Sequence, residues 1–197
     1  MARSEDASPA KCRMAHVIHS INTTVGGSCH HEDAMADEEH HGYALDLLLG
    51  ASAVLLGRNT FDLFASFWPT TADRPDFPSY MVAFATELNA KPKYVVSSRG
   101  VDVRWQNAKL LHGPGLDEVR ALVAGTSGTI VVFGSPGLGT SLIAQGLVHE
   151  IHVVIQPFIG AATARAFEPL DNRKKLALID ARPFRSGAML LRYGTEV

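Results

Sequence analysis

Three short segments combine glycine, hydroxyl and arginine residues in a pattern that suits phosphate binding: Gly57-Arg58-Asn59-Thr60, Ser97-Ser98-Arg99 and Gly134-Ser135-Pro136-Gly137-Leu138. Each segment directly follows an apolar run of strand character. In an open α/β sheet, ligands bind beyond the carboxyl ends of strands, where a glycine lets the backbone approach and the next helix offers free N–H groups. The pattern therefore predicts a phosphate site at the edge where these strands end.

The two arginines make the expected ligand more specific. A planar guanidinium suits a phosphate monoester, such as the 2′-phosphate that distinguishes NADPH from NADH, and Thr60 and Ser135 add hydroxyl donors. Taken singly, each segment has an ordinary alternative: a Gly-Arg pair after a strand is also typical of a tight turn with a solvated charge, and serines are common turn residues. The phosphate-site hypothesis therefore requires that all three segments meet at one site in the folded protein.

The elements that would position these segments alternate between strand and helix along most of the chain. Apolar runs without polar alternation predict strands covered on both faces by helices. Strands are predicted at 14–21, 53–56, 93–97, 109–111, 129–133, 151–155, 176–179 and 188–193. Helices are predicted at 37–50, 60–67 (ending before Pro69), 79–88, 116–123 and 138–146. This order favours a three-layer α/β domain with a largely parallel sheet and a C-terminal antiparallel hairpin.

Composition restricts the class of partner. The net charge of -2 and the pI of about 6.5 provide no global basic field for nucleic acid or anionic lipid. Charged residues interrupt the stretch 1–13, which is predicted to be a disordered leader rather than a signal or a membrane span, with 14–197 as one domain. Two cysteines, Cys12 and Cys29, are too few for a disulfide framework, so a reducing cytoplasm is expected.

Histidine pairs at 30–31 and 40–41 flank a run of acidic residues, so a transition-metal site is conceivable. Neighbouring residues on a helix point about 100° apart, however, so each pair offers one ligand to a given centre. His40 falls on the apolar face of its helix, where it would either line a substrate pocket or pack as a core histidine.

A larger set of motifs resembles one family in order and separation across nearly the whole chain from Met14 onward. These motifs are Leu55-Leu56-Gly57-Arg58-Asn59-Thr60-Phe61, Phe67-Trp68-Pro69, Lys91-Pro92-Lys93-Tyr94-Val95-Val96-Ser97, Phe133-Gly134-Ser135, Gly146-Leu147-Val148-His149-Glu150 and Pro157-Phe158-Ile159-Gly160. They resemble the dihydrofolate reductase family in its broad sense, and specifically the branch similar to the C-terminal reductase domain of the bifunctional riboflavin-biosynthesis deaminase/reductase. The resemblance implies a three-layer αβα fold.

The resemblance also implies a cofactor and site residues. The cofactor would be NADPH, held by the three phosphate-type segments, with Ile21, Asn22 and Cys29 near the nicotinamide. Asp37, and next Glu38, match by position the acid at the start of the helix after the first loop, although acidic residues there also stabilise a helix dipole without chemistry. His40 and Trp68 are expected to contact the substrate.

Two departures limit the resemblance on the substrate side. Gly26-Gly27 stands where close relatives carry Asp-Gly, and His149 stands where they carry an aspartate before the glutamate. No counterpart of the two-cysteine deaminase motif is present. We therefore expect an NADPH-dependent reductase of a small heterocycle, imine or carbonyl compound, working as a homodimer in specialised metabolism. The alternatives are a non-catalytic binding protein on the same fold, a flavin in place of the nicotinamide, and a metal-dependent hydrolase.

Overall fold

A computed structural model describes residues 14–112, 115–160 and 163–196. Its centre is an eight-stranded sheet in the order β4-β3-β2-β5-β1-β6-β8-β7. The strands are β1 (His16–Thr24), β2 (Ala51–Gly57), β3 (Lys93–Ser97), β4 (Ala108–His112), β5 (Thr129–Phe133), β6 (Glu150–Gln156), β7 (Leu176–Pro183) and β8 (Met189–Thr195). The predicted leader lies outside the described residues.

The pairing of the strands confirms the predicted fold class. All neighbours from β4 to β6 are parallel, and β8 and β7 add an antiparallel hairpin at one edge. In parallel strands the carboxyl ends lie at the same edge of the sheet. The ends of β2, β3 and β5, which carry the phosphate-type segments, therefore lie side by side with the end of β1.

In the described ranges, five α-helices cover the sheet in two layers. They are α1 (Glu38–Gly50), α2 (Arg58–Thr71), α3 (Ser79–Ala90), α4 (Asp117–Gly125) and α5 (Pro136–Ala144). One buried cluster joins α4 and α5 to the sheet, and another joins α1, α2 and α3 to the opposite face. Burial from both sides explains the continuous apolar runs, since Val54, Leu55 and Leu56 of β2 are all fully buried.

The prediction that the second helix ends before Pro69 was wrong, because α2 continues through Pro69 to Thr71. Proline removes one N–H bond to the carbonyl four residues earlier, and the last carbonyls of any helix need donors from outside its backbone ladder. Thr71 Oγ1 donates to the Phe67 carbonyl at 2.8 Å. The Asn89 side chain donates to the Trp68 and Pro69 carbonyls at 3.4 and 3.3 Å.

Other elements have shifted boundaries. The final helix starts two residues earlier than predicted, with Pro136 in its first turn, a position where the missing N–H costs nothing. Strand β7 extends past Ile179 to Pro183 because β8 pairs with it as far as Met189, across an irregularity between Leu178 and Asp180.

A buried lysine closes the end of α3. Lys93 is fully buried, and its ammonium group donates to the carbonyls of Leu88, Asn89 and Lys91 at 2.8, 3.1 and 2.8 Å. Its nitrogen lies 4.7 Å from the centre of the Trp105 ring. Desolvation by burial lowers the pKa of Lys93 to about 8.

Within the described ranges, no helix is long and apolar enough to cross a membrane.

Candidate active site

A cavity of about 480 Å³ opens at the carboxyl ends of β2, β3 and β5. Parts of all three phosphate-type segments line it. The lining residues from these segments are Gly57, Arg58, Asn59, Thr60, Ser97, Ser98, Ser135, Pro136, Gly137 and Leu138. The convergence on which the phosphate hypothesis depends is therefore present. We call this space the dinucleotide-sized cavity.

Ser135 connects the two sides of the dinucleotide-sized cavity. Its hydroxyl accepts from the Gly57 N–H at 2.9 Å and donates to the Phe133 carbonyl at 2.9 Å. Its own N–H donates to Thr60 Oγ1 at 3.0 Å. These bonds link the start of α2 to the turn before α5. Gly134 and Ser135 both have left-handed backbones, with φ of +53° and +54°.

The electrostatics of the cavity favour an anion. The N-termini of α2 and α5 both lie at it, and the first-turn N–H groups of a helix have no intrahelical acceptors. Arg58 contributes a half-exposed guanidinium whose Nε lies 3.5 Å from Asp62 Oδ2. Because that pair is solvent-exposed, it holds the guanidinium only weakly, and a phosphate can compete with Asp62 for it.

A second, smaller cavity of about 160 Å³ adjoins the first, with Thr60, Ser135 and Pro136 lining both. Ile21, Asn22 and Cys29, the three residues expected near the nicotinamide, line it together with Gly134. The other lining residues are Ser20, His30, His31, Ala34, Leu63, Phe64 and Phe133. Burial raises the pKa of the Cys29 thiol, so the thiol is protonated at neutral pH.

The segment between β1 and α1 is tied down where it borders the smaller cavity. The Thr24 N–H donates to the Ser28 carbonyl at 2.7 Å, and the Cys29 N–H donates to the Ala164 carbonyl at 2.9 Å. Ser28 Oγ donates to Asp33 Oδ2 at 2.6 Å, next to a single 3-10 turn over His31–Asp33. Cys29 and the two histidines that follow it are thus held at the cavity mouth.

A buried polar chain extends from the smaller cavity under α1. Ser20 Oγ lies 3.0 Å from Tyr43 Oη, which lies 2.9 Å from His152 Nδ1. His152 Nε2 is 2.9 Å from Glu150 Oε2, and Arg192 donates to the same oxygen at 3.0 Å. Burial opposes ionisation of Glu150, but hydrogen bonds from His152, Arg192 and His16 outweigh it and lower its pKa to about 2.

The structure places five predicted residues away from these cavities. Asp37 is the N-cap of α1, where its Oδ1 accepts from the His40 N–H at 2.9 Å, and Glu38 is exposed in the first turn. The helix-stabilising alternative thus describes what these acids do here, and their catalytic role stays a prediction. Arg99 is exposed after β3, with its N–H on Ser97 Oγ at 3.2 Å.

The two residues expected to contact substrate pack elsewhere. His40 is buried, with its ring centre 6.2 Å from that of Phe184, and desolvation lowers its pKa to about 4. The Trp68 ring lies edge-on to Phe84, with ring centres 4.8 Å apart, between α2 and α3. Neither lines the smaller cavity, because α1 and α2 direct them into the core.

In the described part of the chain, no three His, Cys, Asp or Glu side chains are grouped closely enough to hold a metal ion.

Sequence reasoning missed several residues that line the cavities. Ser141 and Gln145 lie on the dinucleotide-sized cavity together with Gly137, and their four-residue spacing on a helix was a usable signal. Phe64 and Phe133 come from different elements, and nothing local in the sequence indicated that they would share the smaller cavity.

Comparison with solved structures defines the fold as dihydrofolate-reductase-like. A putative riboflavin biosynthesis protein from Shewanella sp. PV-4 superimposes with a TM-score of 0.68 at 18% identity, covering 92% of this chain and 99% of that one. Dihydrofolate reductase from Enterococcus faecalis, complexed with NADP(H), superimposes with a TM-score of 0.57 at 14% identity, covering 92% and 97%.

The chain belongs to the RibD C-terminal domain family, which matches residues 14–190. Membership indicates a reductase-type enzyme. Among curated proteins, the uncharacterized protein YyaP of Bacillus subtilis is 28% identical over 148 residues, which covers 75% of this chain and 76% of that protein.

Proposed function

We propose that this protein is an NADPH-dependent reductase that transfers hydride to a small heterocyclic, imine or carbonyl substrate. The observation that carries the proposal is the convergence of the α2 and α5 N-termini, joined by Ser135, on one cavity beside Arg58. A volume of about 480 Å³ is in the range of small-molecule and cofactor sites.

Each part of the dinucleotide-sized cavity would hold one part of the cofactor. The N–H groups of Gly137 and Leu138, in the first turn of α5, would hold the pyrophosphate. Arg58, with Ser97 and Ser98 across the cavity, would take the adenosine 2′-phosphate, for which a planar guanidinium supplies paired donors. Gly137 has open space where a side chain would begin, which leaves room for the phosphates.

The smaller cavity would receive the nicotinamide and the substrate. A reduced nicotinamide supplies a hydride from its C4 atom when it is bound. Ile21, Asn22 and Cys29 would position the ring, and Phe64 and Phe133 would exclude water from the acceptor. The adjacent position of the two cavities, across Thr60 and Ser135, allows one extended ligand to occupy both.

Titration of NADPH, followed by its fluorescence, tests the proposal. Wild-type protein is expected to bind with a micromolar Kd, and Arg58→Ala to weaken NADPH at least about tenfold while leaving NADH nearly unchanged, because a charge-assisted bond contributes roughly 1.5–3 kcal/mol. Arg104→Ala is the matched control, since Arg104 is exposed and paired with Asp102. Tight FMN binding without NADPH binding would favour the flavin alternative and contradict the proposal.

Turnover separates an enzyme from a binding protein on the same fold. NADPH oxidation would be followed by absorbance with a panel of cyclic imines, aldehydes and pyrimidines. Consumption of NADPH with one chemical class would identify the class of substrate, whereas binding without consumption throughout would support the non-catalytic alternative.

We also propose a homodimer in the reducing cytoplasm, where the free thiol of Cys29 would persist. The support for a second copy is an apolar sheet face that is only half-buried in one chain. Cross-strand pairs on β6 and β8 form it: Val153 with Leu191, and Ile155 with Met189. Light scattering coupled to gel filtration would measure the mass, and Leu191→Lys is expected to shift a dimer towards monomer.

A further inference from the structure

The middle of β1 carries a histidine that the proposed function does not use. His19 is fully buried, and β5 lies beside it in parallel register. Its Nε2 is 2.7 Å from the carbonyl oxygen of Gly134. Because a carbonyl can only accept, the proton of the ring must be on Nε2, and His19 is the donor.

This bond holds the carbonyl of a residue whose N–H group is also held by β1. The Gly134 N–H donates to the Ser20 carbonyl at 2.8 Å, so consecutive residues of β1 hold both polar groups of Gly134. Gly134 and the next residue, Ser135, are both left-handed. That conformation costs a non-glycine residue roughly 1–2 kcal/mol, so the turn needs contacts that maintain it.

The same imidazole ring also supports the helix that follows the turn. Gly139 lies in the first turns of α5, and a Cβ added there would lie 2.1 Å from Cε1 and 2.4 Å from Nε2 of His19. The ring therefore lies directly against the bare backbone of α5. One side chain thus contacts both the turn and the helix whose N–H groups face the dinucleotide-sized cavity.

Burying the polar imidazole ring of His19 is energetically less favourable than burying a hydrophobic ring of the same size. Within the described residues, His19 Nδ1 is buried without a hydrogen-bond partner. Desolvation lowers the pKa of the ring to about 4, so it is neutral at physiological pH. A phenyl ring would fill the same space without an unsatisfied nitrogen, but it could not donate to Gly134.

We infer that His19 is a positioning residue for the dinucleotide: by holding the Gly134 carbonyl and the start of α5, it sets the N–H groups that would bind the pyrophosphate. This inference rests on the proposed function. It predicts a selective effect, because the turn would face the pyrophosphate, whereas Arg58, Ser97 and Ser98 would face the 2′-phosphate end of the ligand.

The experiment compares two probes on folded variants. His19→Phe keeps the ring but removes the donor, and it is expected to weaken NADPH about tenfold while changing the Kd of adenosine 2′-monophosphate less than twofold. His19→Gln restores a donor at a similar reach and is expected to recover most of the NADPH affinity. Gly139→Ala, which displaces the ring, should behave like His19→Phe.

A control variant and the wild-type affinity distinguish the role of His19 from NADPH binding itself. His41→Phe alters another buried histidine, packed among Trp68, Tyr80 and Phe84, and should leave both Kd values unchanged. If wild-type protein does not bind NADPH, the proposed function fails and this inference fails with it. If wild type binds and His19→Phe binds within twofold, or if both probes weaken equally, the inference alone is overturned. Should His19→Phe fail to fold, Gly139→Ala and His19→Gln give the same comparison.

Discussion

Replacing Ser135 by alanine tests whether one hydroxyl holds the two sides of the dinucleotide-sized cavity together. Ser135 is 4% exposed, and its Oγ accepts from the Gly57 N–H and donates to the Phe133 carbonyl. Each buried group left without a partner costs about 1–3 kcal/mol, so the loss of both should lower the free energy of unfolding by roughly 2–6 kcal/mol. For a domain of this size, a loss of 3 kcal/mol lowers the Tm by about 6–12 °C.

A glycine variant separates the lost hydrogen bonds from the backbone strain. Ser135→Gly removes the same hydroxyl but tolerates the left-handed conformation, which costs a residue with a Cβ roughly 1–2 kcal/mol. The glycine variant should therefore be more stable than the alanine variant by about that amount, less roughly 0.4–1 kcal/mol for the greater chain entropy of unfolded glycine.

Urea unfolding, followed by circular dichroism and tryptophan fluorescence, measures both variants. Ser66→Ala is the control, because Ser66 is exposed and its hydroxyl donates only to the Leu63 carbonyl within α2, at 2.7 Å. Its effect should stay within about 0.5 kcal/mol. An alanine variant as stable as the control would refute the reasoning, since it would mean that Ser135 is not needed to join α2 to the turn before α5.

Three further predictions concern the free energy of unfolding and the candidate catalytic acid Asp37. Lys93→Met should lower the free energy of unfolding by roughly 2–4 kcal/mol in urea, because three carbonyls at the end of α3 lose their donor; an unchanged midpoint would contradict this. His19 and His40 have pKa values of about 4 against an ordinary 6.5, so the unfolded chain binds more protons between pH 6.5 and 4. The free energy of unfolding should therefore fall as the pH is lowered through that window, by up to about 1.4 kcal/mol per pH unit for each ring. Glu150 adds a further loss only below its ordinary pKa of 4.5. If the free energy of unfolding in urea does not change with pH in this window, the two buried rings are not neutral. Asp37→Ser should keep the N-cap of α1, whereas Asp37→Ala should lower the free energy of unfolding by about 1 kcal/mol. If Asp37 acts only as a cap, turnover survives in the serine variant. If Asp37 is the catalytic acid, turnover is lost in both variants.

The sequence predicted the parts of the fold that are dictated locally. Strands β2 and β5 are apolar runs because helices cover both faces, and that burial makes them recognisable without knowledge of their neighbours. Gly57 and Ser135 could be predicted to meet because parallel strands end at one edge. The boundary of α2 was predicted too early because the helix continues past Pro69, and the donor for the Trp68 and Pro69 carbonyls at its end is Asn89 of α3, a separate element.

The buried polar chain beside the smaller cavity was harder to predict for a similar reason. Tyr43 and His152 are 109 positions apart in the chain, and only the register of β1 against β6 brings Ser20 and His152 side by side beneath α1. His40 follows the apolar period of its helix as predicted, but the period alone does not tell whether that face meets a pocket or the β7–β8 hairpin. The structure puts it against Phe184.

Directing the N-termini of α2 and α5 at one space concentrates partial positive charge there, and small oxyanions respond to the same field as a nucleotide. Inorganic phosphate or sulfate in a buffer would occupy the space and raise the apparent stability by mass action, as any ligand selective for the folded state does. Thermal melts in Tris and in phosphate would then refer to different starting states, and phosphate would compete with nucleotides in affinity measurements. A buffer free of multivalent anions is therefore the appropriate baseline for experiments on this protein.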